Sequence, residues 1–291
     1  MGIDVHGLNF LRFAATQRPL GDVATLGRQG LNIAPYRLVE LLSTEPPLPP
    51  VERWSESLLT SRLGARSVES YDNSGFEGAT HLADLNRPIE PPRRYDTVVD
   101  AGTLEHIFDV RQALANVAAL CAPGGQILHV LPANNQNGHG FWQFSPELFL
   151  SLYSAANGYR DTRVFLASEL IESSWYEVRP PPPGQRVDLT SLLRTIVLVR
   201  TVRGEVVRDD RVQQSDYVER WTEDAPRPVG AGAGAGAAAT VKAAIDRHHA
   251  VARLVRGTWY KARSLAVVGS QLSRRHPHLQ RVRVADLVAE Q

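Results

Sequence analysis

The stretch YDTVVDAGTLEHIFDVRQALANVAALCAPGGQILHVLP (95–132) constrains the fold of this chain most. A short apolar run ends in Asp100 and a turn of small residues. Apolar positions then recur every three or four residues over 104–121, and a second apolar run, QILHVLP, follows the turn APGG (122–125). A short run, a helical period and another short run predict strand, helix, strand, and two strands joined by such a crossover are parallel. The glycines of APGG are expected to cap the helix.

The same alternation extends in both directions. DVATL (22–26), SVESYD (67–72), ATHLAD (79–84), RVFLAS (163–168) and LLRTIVLVRTV (192–202) read as further strands. Helices are expected over 34–42, 51–63 and 145–156, the last with Ser145 as N-cap and Pro146 in its first turn. Strands alternating with helices of this length predict an α/β fold, a mostly parallel sheet covered on both faces.

Composition excludes several other classes. With 43% hydrophobic and 22% charged residues, disorder throughout the chain is ruled out. No apolar run reaches the length of a membrane span, and the start MGIDVHGLNF lacks a secretory pattern, so a cytoplasmic location is expected. Cys121 is the single cysteine, no zinc-type ligand spacing occurs, and no metal is expected. Cys121 itself reads as a buried small hydrophobe on its helix rather than a nucleophile.

The net charge of +1 averages unlike parts. Residues 242–283 hold ten basic side chains against Asp246 alone, which leaves an acidic body. The expected organisation is a core over 1–205, a polar and Gly/Ala-rich linker over 206–239, and a basic helical extension over 240–291. Packing on the body or homo-oligomer contact explains the basic helix better than nucleic acid or a membrane surface, because its charges are spread over all faces.

In an open parallel sheet, ligands gather beyond the carboxyl ends of the strands where strand order reverses. Three acids fall at such ends. Asp72 closes one strand and is followed by Asn73. Asp84 closes the next, beside Leu85. Asp100 closes the third, before Ala101 and Gly102. A carboxylate at a strand end can accept both hydroxyls of a ribose, and a short acid beside a leucine suits an adenine edge.

On these motifs, 95–132 together with YDNSGFEGA (71–79) and HLADLNRPI (81–89), the chain resembles the class I S-adenosylmethionine-dependent methyltransferases. NGHGFWQFSPELF (137–149) is similar to an uncharacterised methyltransferase-like subgroup often found in bacterial biosynthetic pathways. The resemblance covers about residues 20–205 and implies a Rossmann-like, seven-stranded sheet that binds S-adenosylmethionine. Gly27, Asp72, Asn73, Asp84, Leu85, Asp100, Ala101 and Gly102 are the implied cofactor residues. The chain departs from the family at ATLGRQG (24–30), where a Gly-x-Gly-x-Gly loop is usual and Arg28 replaces a small residue. Arg28 either forks onto the cofactor carboxylate or obstructs the pocket, and the long spacing from Gly27 to Asp72 requires an extra helix between them.

Methyl transfer to an oxygen or nitrogen of a small molecule needs alignment of the acceptor and a base. His106, a few residues beyond a strand end, is the first candidate, and His139, in the turn Gly138-His139-Gly140, is the second. Both can equally serve as turn-fixing hydrogen-bond donors. Two alternatives stand beside a methyltransferase: an enzyme that cyclises or cleaves the same cofactor, and a non-catalytic partner protein.

Overall fold

A computed structural model describes residues 2–42, 53–182, 184, 185, 187, 189, 193–218 and 276–289. In chain order the elements are β1 (Gly2–Ile3), α1 (Val5–Gln17), β2 (Gly21–Leu26), β3 (Gly30–Leu31), α2 (Pro35–Leu42), α3 (Glu56–Leu63), β4 (Ala65–Asp72), β5 (His81–Leu82) and β6 (Tyr95–Ala101). They continue with α4 (Val110–Leu120), β7 (Cys121–Asn134), α5 (Pro146–Leu152), β8 (Tyr159–Ser168), β9 (Ser174–Val178), β10 (Thr195–Arg203), β11 (Leu279–Arg283) and α6 (Val284–Val288). No helix among these residues is long and apolar enough to cross a membrane.

Among the described residues the main sheet has nine strands in the order β11-β9-β8-β10-β7-β6-β2-β4-β5, two more than the seven expected. Its β5-β4-β2-β6-β7 half is parallel throughout. Its other half is antiparallel at every ladder, so the sheet is mixed rather than mostly parallel. The parallel half is doubly wound: order runs outward from β2 on one side and from β6 on the other, and their junction is the switch point of such sheets.

Alternation along the central strands divides the core in two. Val98, Val197, Val199, Val164 and Leu166 face one side, where they meet Leu114, Val117 and Leu120 of α4 and Phe149 and Leu152 of α5. Val99, Ile196, Leu198, Phe165 and Ala167 face the other, against Leu8, Leu11 and Ala14 of α1, Leu58 and Leu59 of α3 and Leu287 of α6. A period-2 strand apolar on both phases has no solvated face, which explains the near-continuous runs seen in the sequence.

Local chemistry sets the element ends. The Asp4 side chain accepts from the Gly7 amide and starts α1. Asp109 does the same for α4 through the Gln112 amide, so the expected helix over 104–121 is split into a short 3₁₀ turn at Leu104–His106 and α4 proper. The glycines of APGG do not cap that helix. Cys121 already pairs with Tyr95, and the ladder shifts register before Thr97 meets Gln126, so APGG is an irregularity inside β7, with Gly124 at φ +75°. Cys121 therefore stands at a strand start rather than on a helix; it is buried, and burial pushes its thiol up to about 12. Ser145 caps α5 as expected, but the helix ends at Leu152, short of residue 156.

The segments beyond residue 205 join the body. The Arg208 amide donates to the Asn157 carbonyl, and the Ser215 amide donates to Glu147. Leu279–Arg283 pairs antiparallel with β9 as the sheet's outermost strand. The Gly/Ala-rich stretch and residues 240–275 of the expected helical extension lie outside the described residues; of the rest, Leu279–Arg283 is a strand and only Val284–Val288 is helical.

Candidate functional site

The strands of the parallel half end flush. Leu26 pairs with Tyr71 on one side and Asp100 on the other, and Tyr71 pairs in turn with His81. Gly27, Asp72, the 82–85 turn and Ala101-Gly102 therefore leave the sheet along one edge, at the reversal of strand order. Gly27 has φ +67°, and its amide donates to the Tyr71 carbonyl at 2.7 Å, which turns the chain sharply over β4. Thr103 Oγ1 and Gln29 Nε2 both donate to the Leu26 carbonyl, at 2.6 and 2.5 Å, and so tie the ends of β2 and β6 together.

Arg28 is committed within the protein. Its Nε donates to Glu56 at 2.6 Å, its Nη1 donates to the Glu77 carbonyl at 2.9 Å, and the guanidinium lies 4.7 Å from the centre of the Trp54 ring. A bidentate grip on a ligand carboxylate would have to displace Glu56 or the Glu77 carbonyl. The glycine loop is thereby anchored to the segment before α3, and α2 and α3 supply the extra length between Gly27 and Asp72.

Asp72 accepts the Ser74 amide at 2.9 Å, and Asn73 beside it is exposed. Asp84 accepts from the side chain and amide of Asn86, which hold its carboxyl below the usual range. Leu85 is buried in the core, its carbonyl fixed by Asn116 Nδ2 at 3.0 Å.

Asp100 departs from its expected role. It is completely buried, Oδ1 accepts the amides of Thr103 and Leu104, and Oδ2 lies 2.8 Å from His129 Nδ1. His129 Nε2 is in turn 2.6 Å from the Tyr153 hydroxyl, whose pKa burial raises well above its ordinary value. Asp100 thus holds the turn that follows β6 and anchors it to α5's end through His129 and Tyr153, instead of presenting a carboxylate to the crevice. Ala101 is buried behind it, and Gly102 follows at φ +83°.

Beyond Gly102 the chain delivers a cluster. Glu105 is buried, and neither carboxylate oxygen has a hydrogen-bond partner. Burial and the neighbouring Asp100 push its pKa up to about 8. His139 Nε2 lies 3.4 Å and His106 Nε2 3.8 Å from Glu105 Oε1, and both imidazoles are partly open to solvent. Burial and the charge of His139 lower the His106 pKa. The two expected bases are thus brought together, their rings 5.4 Å apart.

The loop after β7 is fastened to the same residue. The amides of Phe141 and Trp142 both donate to the Glu105 carbonyl, at 2.6 and 3.3 Å. Trp142 Nε1 donates to the Ile107 carbonyl. Gly140 makes this approach possible: at φ +78°, a Cβ on it would sit 2.6 Å from the Glu105 carbonyl oxygen. Gly140→Ala is expected to cost about 1–3 kcal/mol through strain at a positive φ and this clash. Urea denaturation measures it, and an unchanged midpoint would mean the loop does not clamp on Glu105.

His129 and Tyr153 are functional neighbours that no motif in the sequence marks. The available signal was a histidine inside the otherwise apolar run ILHVL, since a polar ring buried in a strand requires partners.

No family model matches the sequence, and no curated protein matches it. Solved structures similar to the chain include the N-methyltransferase NodS from Bradyrhizobium japonicum WM9, at 13% identity over 68% of this chain and 94% of that one, with a TM-score of 0.39. DhpI in complex with SAH is similar at 17% identity over 68% of this chain and 84% of its own, with a TM-score of 0.35. A possible histamine N-methyltransferase from Thermotoga maritima is similar at 14% identity over 68% and 91% of the two chains, with a TM-score of 0.33.

Proposed function

We propose that this chain is an S-adenosylmethionine-dependent methyltransferase acting on an oxygen or nitrogen of a small molecule. The observation that carries the reading is the set of residues leaving the sheet together at its switch point: Gly27, Asp72, Asp84 with Leu85, and Ala101-Gly102. Asp72 and Asn73 suit a ribose, and the polar turn at Asp84 beside buried Leu85 suits an adenine. When bound, the cofactor supplies a methyl group on an electrophilic sulfonium. The protein's own part is to align the acceptor and take its proton, and the cluster of Glu105, His106 and His139 beyond the β6 turn is suited to that.

Calorimetry with S-adenosylmethionine and S-adenosylhomocysteine tests this. The parent protein is expected to bind both, and Asp72→Ala to weaken binding by about 100-fold, the scale of one or two hydrogen bonds to a charged group. His106→Ala is expected to leave that affinity unchanged while slowing transfer about 10²–10⁴-fold, the usual contribution of a positioned base. Equal loss of binding in both variants would contradict these roles, and a folded protein that binds neither compound would overturn the reading.

Arg28 keeps a second reading in view. With Glu56 and the Glu77 carbonyl holding its guanidinium, the methionine arm would meet a different wall from that implied by a glycine loop. That arrangement suits an enzyme that cyclises or cleaves the cofactor. Mass spectrometry of the cofactor incubated with enzyme alone separates the two: turnover without an acceptor means cleavage or cyclisation.

A further inference from the structure

We propose that Glu105, His106 and His139 form a binding site for a divalent first-row transition metal ion, with zinc as its representative. One ligand atom from each of the three lies within 4.8 Å of the others. In a tetrahedral zinc site with bonds of about 2.0–2.2 Å, neighbouring ligand atoms stand roughly 3.3–3.5 Å apart. The 3.4 Å between His139 Nε2 and Glu105 Oε1 already has this spacing, whereas the 3.8 Å from His106 Nε2 and the separation of the two imidazole ligand atoms, within 4.8 Å, must close by rotation of these two exposed side chains.

The carboxylate is what points to a cation. A buried acid normally has hydrogen-bond donors on its oxygens, as Asp100 does. Glu105 is equally buried, yet neither of its oxygens makes a hydrogen bond of good geometry, its own backbone amide being only a weak donor, and the side chains its Oε1 faces are two imidazoles. Its backbone is fixed on both sides: the turn held by Asp100 precedes it, and the Phe141 and Trp142 amides grip its carbonyl. The same grip fixes the loop that carries His139. Two imidazoles and one carboxylate favour zinc, iron or cobalt over magnesium or calcium, which prefer oxygen ligands. The exposed histidines leave the site's outer side open to a water or an acceptor oxygen, whose proton such a cation makes easier to remove.

The inference concerns binding by the chain itself and does not depend on the methyl-transfer reading, although it refines that reading: a nitrogen that holds the metal cannot also take a proton, so with metal bound His106 would serve as a ligand and the cation, not the imidazole, would activate the acceptor. The test uses the full chain freed of metal by chelation, with no S-adenosylmethionine present. Calorimetric titration with Zn²⁺ and visible absorption with Co²⁺ are expected to show one equivalent bound, with Mg²⁺ failing to compete. His106→Ala/His139→Ala is expected to bind at least about 100-fold more weakly, a larger effect than the usual loss of a supporting residue. Both histidines are exposed, so the double variant should keep its circular dichroism, and it retains every other histidine of the chain as a control for adventitious binding. Glu105→Gln should also weaken binding. Asp72→Ala should bind metal normally while losing the nucleoside, which separates the two proposals. Absence of stoichiometric metal in the parent protein, or equal binding by the double variant, would overturn the assignment.

Discussion

Trp175→Ala is expected to destabilise the protein by about 3–5 kcal/mol, the range for truncating a fully buried aromatic side chain. Trp175, on β9, has no exposed surface and is among the largest of the fully buried residues. Its ring lies 5.7 Å from that of Phe165 on β8 and 6.0 Å from that of Phe10 on α1, and Phe13 completes the group 5.7 Å from Phe165. Its Nε1 donates to His6 Nδ1 at 3.0 Å, so the indole also satisfies a buried polar atom of α1. Trp175→Phe keeps most of the apolar contact and loses this hydrogen bond, and should cost about 1–2 kcal/mol. Urea denaturation followed by far-ultraviolet circular dichroism measures both. A loss below about 1 kcal/mol for the alanine variant would mean that α1 is not held to the sheet by this cluster.

That cluster also marks where the sequence was hardest to read. α1 is hard to read because His6, Gly7, Leu8, Asn9, Phe10 and Leu11 are buried in succession, so the first half of the helix lacks the solvated face that makes an amphipathic stripe. β9 and β11 are short, and they pair with each other across about a hundred residues, although β9 also pairs with β8 next to it in the chain. By contrast β2, β4, β6, β7, β8 and β10 were legible, because their apolar runs and terminal turns are local properties. The site was legible in the same uneven way. Asp72 closes β4 and Asp84 follows β5 by two residues; Asp100 has the same place in sequence terms, but the Thr103 and Leu104 amides and the neighbouring strand's His129 hold it inward. His106 and His139 were each noticed singly. What joins them is the return of the β7 loop onto the Glu105 carbonyl, a contact that no spacing rule contains.

The second large effect is expected at Asp100. Asp100→Ala removes the acceptor for two buried amides and for His129 Nδ1 at once, and breaking a buried, hydrogen-bonded pair costs about 3–5 kcal/mol. Asp100→Asn keeps an oxygen for the Thr103 and Leu104 amides, and His129 can present the other ring nitrogen form to the new amide group. Its cost should stay nearer 1–2 kcal/mol. Chemical denaturation of the two variants provides the comparison, and equal costs would contradict the division of labour between the two oxygens. Because the turn after β6 carries Glu105, the alanine variant should also lose metal binding even where it remains folded.

The pairing of β11 with β9 has a consequence for how the chain comes to be folded. During synthesis β9 leaves the ribosome long before Leu279–Arg283, and until they arrive its outer edge offers unpaired amides and carbonyls beside Trp175 and Val178. Such an edge is a template for pairing with another nascent chain. The same reasoning makes residues 1–205 a poor unit for separate expression: a cut there would remove not an appendage but the strand that seals one border of the sheet.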